Sequence, residues 1–483
     1  MHAQTFREAT QAAANALPDR DARTLPPPAL LRRMEGGGPR YTSYPTADRF
    51  VEAFDDEDYV HALRQRRTIG AAQGAAPLSV YVHIPFCESL CYYCACNKVI
   101  TRHHDRADRY LDYLGKEIAL QTAHLGRGQP VSQLHLGGGS PTFLDDAQLG
   151  RLMGMLNEAF ALVPEAERSI EIDPRTVDAA RLRHLAELGF NRLSFGVQDF
   201  DPAVQQAIHR IQPVAQVEEL LAQARTLGFG SINLDLIHGL PKQTVESFDR
   251  TLAEVCRLRP DRIALYAYAH LPERFKAQRR IASADLPSPA DRVRMLSRAI
   301  DALGAAGYIY IGMDHFALPD DPLAVARRQG RLHRNFQGYT TQPDGDLVAL
   351  GVSAIGHVGA SYSQNAKTLD AYYDHLDQAR LPVERGLALN RDDLLRRAVI
   401  MAIMCQGKVD FAAIGQAHLV DFVDRFAPEL AALGPLVAQG LVKLRDHELE
   451  VTETGWFFVR AIAMVFDRYL QADRNRAHFS RIV

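Results

Sequence analysis

Only six cysteines and one tryptophan occur in 483 residues, and the formal net charge is −3. So small a charge excess gives no basic field for a nucleic-acid backbone, and no Lys/Arg block is long enough to form a polybasic arm. Long apolar runs are missing as well. The uncharged run from Leu347 to Ala366 is interrupted by Gly351, Gly356, His357 and Gly359. A membrane-spanning helix needs ~20 predominantly apolar residues, so this run reads as buried strand and glycine-rich loop. The amino terminus, MHAQTFREATQAAANALPDR, lacks the basic-then-apolar pattern of a secretory signal. The expectation is a cytoplasmic protein without membrane or nucleic-acid partners. In that compartment disulfides are disfavoured, and clustered cysteines bind metal or do redox chemistry.

What is present is an ordinary globular composition, 47% hydrophobic and 23% charged, long enough for two or three domains. Residues 1–35 are Ala-, Pro- and charge-rich and read as a flexible extension. The stretch GGGPRYTSYPTA opens an amino-terminal arm over residues 36–75, expected to lie on the main domain. From Leu78 a rhythm begins. Short β-branched runs (LSVYVHI, VSQLHLGG, RSIEIDP, NRLSFGVQ, INLDLIHG and RIALYAYA) alternate with segments of helical period. Val217, Leu220, Leu221, Ala224 and Leu227 mark one such helical face, ended by Gly228. The joints LAELGFNRLSF, ARTLGFGSINL and GAAGYIYIGM repeat one pattern in which a helix stops at Gly, an aromatic follows and a strand begins.

Six strands alternating with helices imply a parallel βα array, either a full or partial barrel or an open sheet. Polar residues gather at the carboxyl ends of the runs: Glu171 and Asp173, Gln198 and Asp199, Asp235 and His238, and His270. In a βα barrel that rim is where sites are built, which favours a partial (βα)6-type barrel over residues 76–370. Beyond it, residues 371–483 read as helices followed by the hairpin LVKLRDHELEVTETG, a smaller, mainly helical domain of winged-helix type. Its face is not basic, which weakens a DNA-binding reading.

The stretch HIPFCESLCYYCACN holds four of the cysteines. Cys87, Cys91 and Cys94 follow the spacing C-x-x-x-C-x-x-C, and Cys96 stands one residue further on. A structural zinc site normally uses two separated C-x-x-C-like pairs. Here Cys256 and Cys405 are isolated in helical, apolar settings where a buried thiol is the default. Cys94 and Cys96 are too close for both to ligate one ion comfortably. Three cysteines on a loop after a strand suit three corners of a four-iron cluster whose fourth iron stays open.

That spacing, with Tyr93 before the third cysteine, resembles the radical S-adenosylmethionine enzymes. PRYTSYPTA, YVHIPFC, CNKVITR, GGGSPT, NRLSFGVQDF, DLIHGLPKQT, GMDHFA, HRNFQGYTTQ and the terminal FSRIV are together similar to the oxygen-independent coproporphyrinogen III oxidases, from Arg40 to the end of the chain. The resemblance implies a monomer that converts two propionates of coproporphyrinogen III to vinyl groups through a 5′-deoxyadenosyl radical. It further implies an external electron donor and a terminal electron acceptor.

It also implies the site. Cys87, Cys91 and Cys94 ligate a [4Fe–4S] cluster. Tyr81, Tyr93, Gly138, Gly139, Ser140, Glu171, Gln198, Arg210, Asp235, Ala269 and Ile355 bind S-adenosylmethionine. Phe336 and Ile355 help hold a second molecule of it, and Cys96 and Gln337 are active-site residues outside the ligand set. Ala95 and Ser140 stand where the family often has Gly and Thr; both are small. The competing readings are a haem chaperone on the same scaffold, disfavoured by Cys96 and the RYTSYPTA arm, and a purely structural cluster or zinc protein.

Overall fold

The computed structural model describes residue 30, residues 37–74 and residues 76–472. The rest of the expected amino-terminal extension and the terminal FSRIV lie outside the described residues. Six parallel strands form the centre: β1 (Leu78–Ile84), β2 (Gln129–Gly138), β3 (Phe160–Ile172), β4 (Arg192–Gln198), β5 (Ser231–His238) and β6 (Arg262–Ala267). Each pairs in parallel with the next. All six runs expected from the sequence lie on them. Parallel neighbours need a crossover, and helices supply it, among them Asp105–Leu125, Asp146–Ala159, Val214–Thr226 and Val245–Leu258.

The helix Val214–Thr226 buries Val217, Leu220, Leu221 and Ala224, the face expected from its period. Gly189, Gly228 and Gly307 have φ of 86°, 82° and 92° at the three repeated helix-to-strand joints. That left-handed backbone is open to Gly without a Cβ penalty.

The sheet runs on past the six central strands at both sides. Beyond β6 lie β7 (Ile309–Gly312) and β8 (His315–Ala317), antiparallel. Beside β1 lies β9 (Leu347–Leu350), parallel to it, followed by antiparallel β10 (Ile355–Val358), β11 (Ser361–Asn365) and β12 (Val383–Ala388). The order is β12-β11-β10-β9-β1-β2-β3-β4-β5-β6-β8-β7, an open, partial barrel rather than a closed one. Because β12 belongs to this sheet, the sheet continues past residue 371, where the sequence pattern placed the boundary. The helical unit starts at the helix Arg391–Gln406. Its three-stranded sheet contains the expected hairpin, Val442–Leu444 paired with Glu448–Val451.

The arm packs on both units. Tyr41 and Tyr44 are fully buried in a second core with Phe426, Trp456 and Phe458 that also takes in Ile311 of β7 and Ala317 of β8, while Phe54, Tyr59 and Leu63 join the barrel core. Tyr41 donates to Asp467 Oδ2 at 2.9 Å. Arg40 turns the other way, pairs with Asp314 and lies 5.3 Å above the ring of Tyr266 near the end of β6. The arm therefore ties the helical unit to the barrel. Its later part, Asp56–Gln73, is a helix begun by an Asp55 capping box. Among the described residues no helix is long and apolar enough to cross a membrane.

Candidate functional site

The cysteine loop is fastened at both ends. After β1, the short strand Phe86–Cys87 pairs with Val99–Ile100, so the loop leaves and returns at one place. Thr101 N–H donates to the Cys87 carbonyl at 3.0 Å, and Lys98 Nζ donates to the carbonyls of Cys94 (3.1 Å) and Cys96 (3.4 Å). Midway, Tyr92 N–H reaches the Ile208 carbonyl at 3.0 Å and its ring stacks on His209. All six cysteines are free thiols. Cys91 and Cys405 are buried, Cys87, Cys94 and Cys256 half-buried, and Cys96 exposed.

The thiols sit in an electropositive corner. Arg210 Nη1 lies 3.5 Å and Arg175 Nη2 3.6 Å from Cys91 Sγ. Both guanidinia are paired to Asp173, at 3.1 and 2.6 Å. Burial alone would raise Asp173, but Arg210 and Arg175 hold it below the usual carboxylate range. A hydrogen bond from the Cys96 thiol, aided by Lys98, lowers Cys94 to about 6, and Cys96 is pushed up correspondingly. Burial, then the neighbouring Cys94 and Cys91, push Cys87 up to about 12.

This donor set fits an iron–sulfur cluster. Three soft, unpaired thiols share one loop beside fixed cations, and thiolates on clusters take such N–H···S partners. Among the described residues no three His, Cys, Asp or Glu side chains are placed to hold a single metal ion.

The glycine loop after β2 is stitched onto the same strand. Gly139 N–H donates to Ile84 O at 2.8 Å and Ser140 N–H to Phe86 O at 2.9 Å. A Cβ on Gly139 would stand 2.6 Å from Pro85 O, and one on Gly138 (φ 120°) 2.8 Å from Ile84 O. Only glycine permits that approach. Ser140, Thr142 and Thr176 then form a hydroxyl chain of 3.2 and 2.7 Å contacts that ends on the Asp173 carbonyl. A recess of about 140 Å³ opens here, lined by Cys87, Ser140, Phe143, Asp173, Arg175 and Thr176.

Further along the rim, Glu171 accepts from Gly138 N–H at 3.1 Å and lies 3.4 Å from His135 Nε2. Those partners hold its carboxylate low against the opposing effect of enclosure. Its side chain is nevertheless 45% accessible, so it faces open space on the side of the sheet away from the helix-covered Ile170 and Ile172. Tyr81 hydroxyl contacts His83 Nδ1 at 3.0 Å, and its ring stacks on His135. Asp235 is bonded by Ser194 and Asn233, and enclosure plus the Glu171 charge raise it to about 6.

Gln198 sits at a bulge with φ 71°, and Arg210 fills the space beside it, donating to Gly196 O. Gln278 ties two expected residues together, donating to the carbonyls of Tyr93 (3.0 Å) and Ala269 (3.2 Å). Not every rim carboxylate serves the site: Asp199 is fully buried, bonded by Thr251 and Gln243.

Phe336 and Ile355 pack on a small apolar cluster of Phe50, Tyr362 and Leu389, and Ile355 opens β10, two strands from β1 in the sheet. Gln337, next in the chain, has both side-chain amide atoms buried without a hydrogen-bond partner. Sequence reasoning passed over Arg175, His83, His135, Lys98 and Gln278. The signal for Arg175 was present: a cation two residues past a rim Asp, in a barrel whose adjoining loop carries thiolates. Gln278 had none, since its partners come from loops 185 and 9 positions away.

Comparison with known proteins agrees with this geometry. Residues 81–255 match the radical SAM superfamily model and residues 389–458 a HemN C-terminal domain model. The chain is 50% identical over 456 residues to the oxygen-independent coproporphyrinogen III oxidase of Pseudomonas aeruginosa, and 49% over 455 residues to that of Escherichia coli. Each alignment covers 94% of this chain and 98% of the relative. The solved coproporphyrinogen III oxidase of Escherichia coli, a radical SAM enzyme, superposes with a TM-score of 0.85 at 49% identity, covering 89% of this chain and 98% of that one. With that likeness along nearly its whole length and a three-thiol loop at the strand ends, the chain belongs to the oxygen-independent coproporphyrinogen III oxidase family of the radical SAM superfamily.

Proposed function

We infer that this chain catalyses the oxygen-independent oxidative decarboxylation of two propionates of coproporphyrinogen III, giving the vinyl groups of protoporphyrinogen IX in haem biosynthesis. The observation that carries the reading is the whole-length likeness to named oxidases. It far exceeds what a shared barrel alone would produce, and it favours the oxidase over a haem chaperone.

Cys87, Cys91 and Cys94 would hold the [4Fe–4S] cluster and leave one iron to S-adenosylmethionine. When bound and reduced, that pair supplies a 5′-deoxyadenosyl radical able to take hydrogen from a propionate β-carbon. The protein's own residues position and enclose. Gly138, Gly139 and Ser140 would lie along the methionyl part, with Tyr81, Tyr93, Gln198, Ala269 and Ile355 around the cofactor. Arg210 supplies a cation for its carboxylate, and Glu171 and Asp235 supply acceptors for ammonium and ribose hydroxyls. Cys96, exposed beside Cys94, stands where a thiol can serve the substrate rather than the cluster.

We assign a second S-adenosylmethionine to the neighbourhood of Phe336, Gln337 and Ile355. What supports it is the Gln337 amide: buried polar atoms are normally paired, so two unpartnered ones on one side chain call for a polar ligand. The substrate loses two electrons per vinyl group formed. One leaves with the abstracted hydrogen and one must pass to a terminal acceptor, while a separate low-potential donor reduces the cluster.

Anaerobic loading with iron and sulfide tests the reading. The protein should turn brown, cleave S-adenosylmethionine when reduced, and form protoporphyrinogen IX. Stable haem binding without turnover would favour the chaperone.

A further inference from the structure

Asp173 follows β3 and starts a single turn, Pro174–Thr176, accepting from Arg175 N–H at 3.1 Å. The same carboxylate accepts from Arg175 Nε (2.9 Å) and Nη2 (2.6 Å). This fork fixes the guanidinium plane and carries Nη2 to 3.6 Å from Cys91 Sγ. Pro174, whose carbonyl accepts from Gln216 at 2.9 Å, anchors the turn from behind. Arg210 meets the same sulfur from another element, but its Nε and Nη2 are also spent on Gly196 O at 3.0 and 2.6 Å. Among the described residues Arg175 has no comparable tie to a strand carbonyl. It lines the recess with Cys87 and Ser140, and its side chain is 20% exposed against 7% for Arg210.

We propose that Arg175 is a positioning residue acting through Cys91: held by Asp173, it donates an N–H···S bond that raises the reduction potential of the cluster. The inference rests on Cys91 being a cluster ligand. Reduction of the cluster adds one electron from an external low-potential donor, with no bond made or broken in the protein. The added negative charge spreads onto the sulfurs, and an N–H donor fixed against one of them stabilises the reduced form more than the oxidised. A guanidinium cannot lose its proton, so the effect persists across the working pH range.

The test loads full-length protein anaerobically and follows a redox titration by EPR without substrate. Wild type is compared with Arg175→Met and Arg175→Lys. R175M is expected to keep wild-type iron content while its potential moves to more negative values. R175K, which keeps the positive charge but cannot hold the planar fork on Asp173, should move it in the same direction by less. A fully loaded R175M at the wild-type potential overturns the proposal. Where R175M does not retain iron, R175K decides: a negative shift supports the proposal and an unchanged potential overturns it. Loss of iron from both shows that Arg175 builds the loop rather than tuning it, which also overturns the proposal. A wild-type protein that takes up no four-iron cluster refutes the ligand assignment instead, and the iron assay separates that result from the others.

Discussion

Arg210 and Cys91 stand 119 positions apart in the chain, yet the guanidinium of one lies 3.5 Å from the sulfur of the other. The contact joins the loop after β1 to the loop after β4, so the cysteine segment is held by the barrel rim and not only by its own backbone. It also fixes a permanent cation beside the thiol of the proposed cluster ligand.

Replacing Cys87, Cys91 or Cys94 by Ala should reduce bound iron to background and abolish S-adenosylmethionine cleavage, because on the proposed assignment each would supply the only protein ligand of one iron. Cys96→Ala should keep the iron, as its thiol is exposed and bonded only to Cys94, and should lose product formation. Iron assay and EPR on the four variants distinguish these results. Unchanged turnover in C96A would reduce Cys96 to packing.

Gln337→Leu should have opposite effects on stability and function. An unpartnered buried polar group costs about 1–3 kcal/mol, so removing this amide should raise the melting temperature of the unliganded protein. The same change should lower bound S-adenosylmethionine from two to one per chain and stop vinyl formation. Thermal unfolding and equilibrium dialysis read the two effects separately.

Glycines at two positions should respond in contrary ways to Ala. At Gly139 the new Cβ meets the Pro85 carbonyl at 2.6 Å, backbone against backbone, so Gly139→Ala should cost about 1–3 kcal/mol and weaken cofactor binding. At Gly150, inside the helix Asp146–Ala159, nothing lies within 4 Å of a Cβ, and Gly150→Ala should stabilise by about 0.5–1 kcal/mol. Denaturant unfolding curves check both.

Cofactor affinity should depend on pH through Asp235, which enclosure and then the Glu171 charge raise to about 6. Asp235 is ionised above that value, so affinity should hold above pH 7 and fall as pH drops through 6. The sign for stability is opposite: a carboxyl whose folded pKa lies above its unfolded value loses stabilising weight as pH rises from about 4 to 6. Asp235→Asn should flatten the affinity profile, bind about 10-fold more weakly at neutral pH and remain folded there. Calorimetric titration with S-adenosylmethionine across pH 5–8 measures this.

The six central strands were legible because their helix-covered face is a regular apolar row, such as Leu193, Phe195 and Val197 or Ile232, Leu234 and Leu236, and each ended on polar residues. The cysteine triad and the glycine loop were legible because their chemistry demands those residue types. The outer strands were harder. Ser361–Asn365 is buried at every position yet reads SYSQN, polar residues that a sequence pattern assigns to a loop. Tertiary partners explain it: Asn365 donates to Glu117, and Glu117, enclosed by that network, rises to about 7. The placement of Tyr41 and Tyr44 was illegible for the same reason, since the core they join is built mostly from residues hundreds of positions later.

The most direct measurement is anaerobic turnover of the cluster-loaded protein with coproporphyrinogen III, S-adenosylmethionine and a low-potential reductant, with products resolved by chromatography. The account predicts protoporphyrinogen IX with two carbon dioxides released per substrate, and none when Cys91 is Ala. Cleavage of S-adenosylmethionine by the loaded wild-type protein with coproporphyrinogen III recovered unchanged would contradict it.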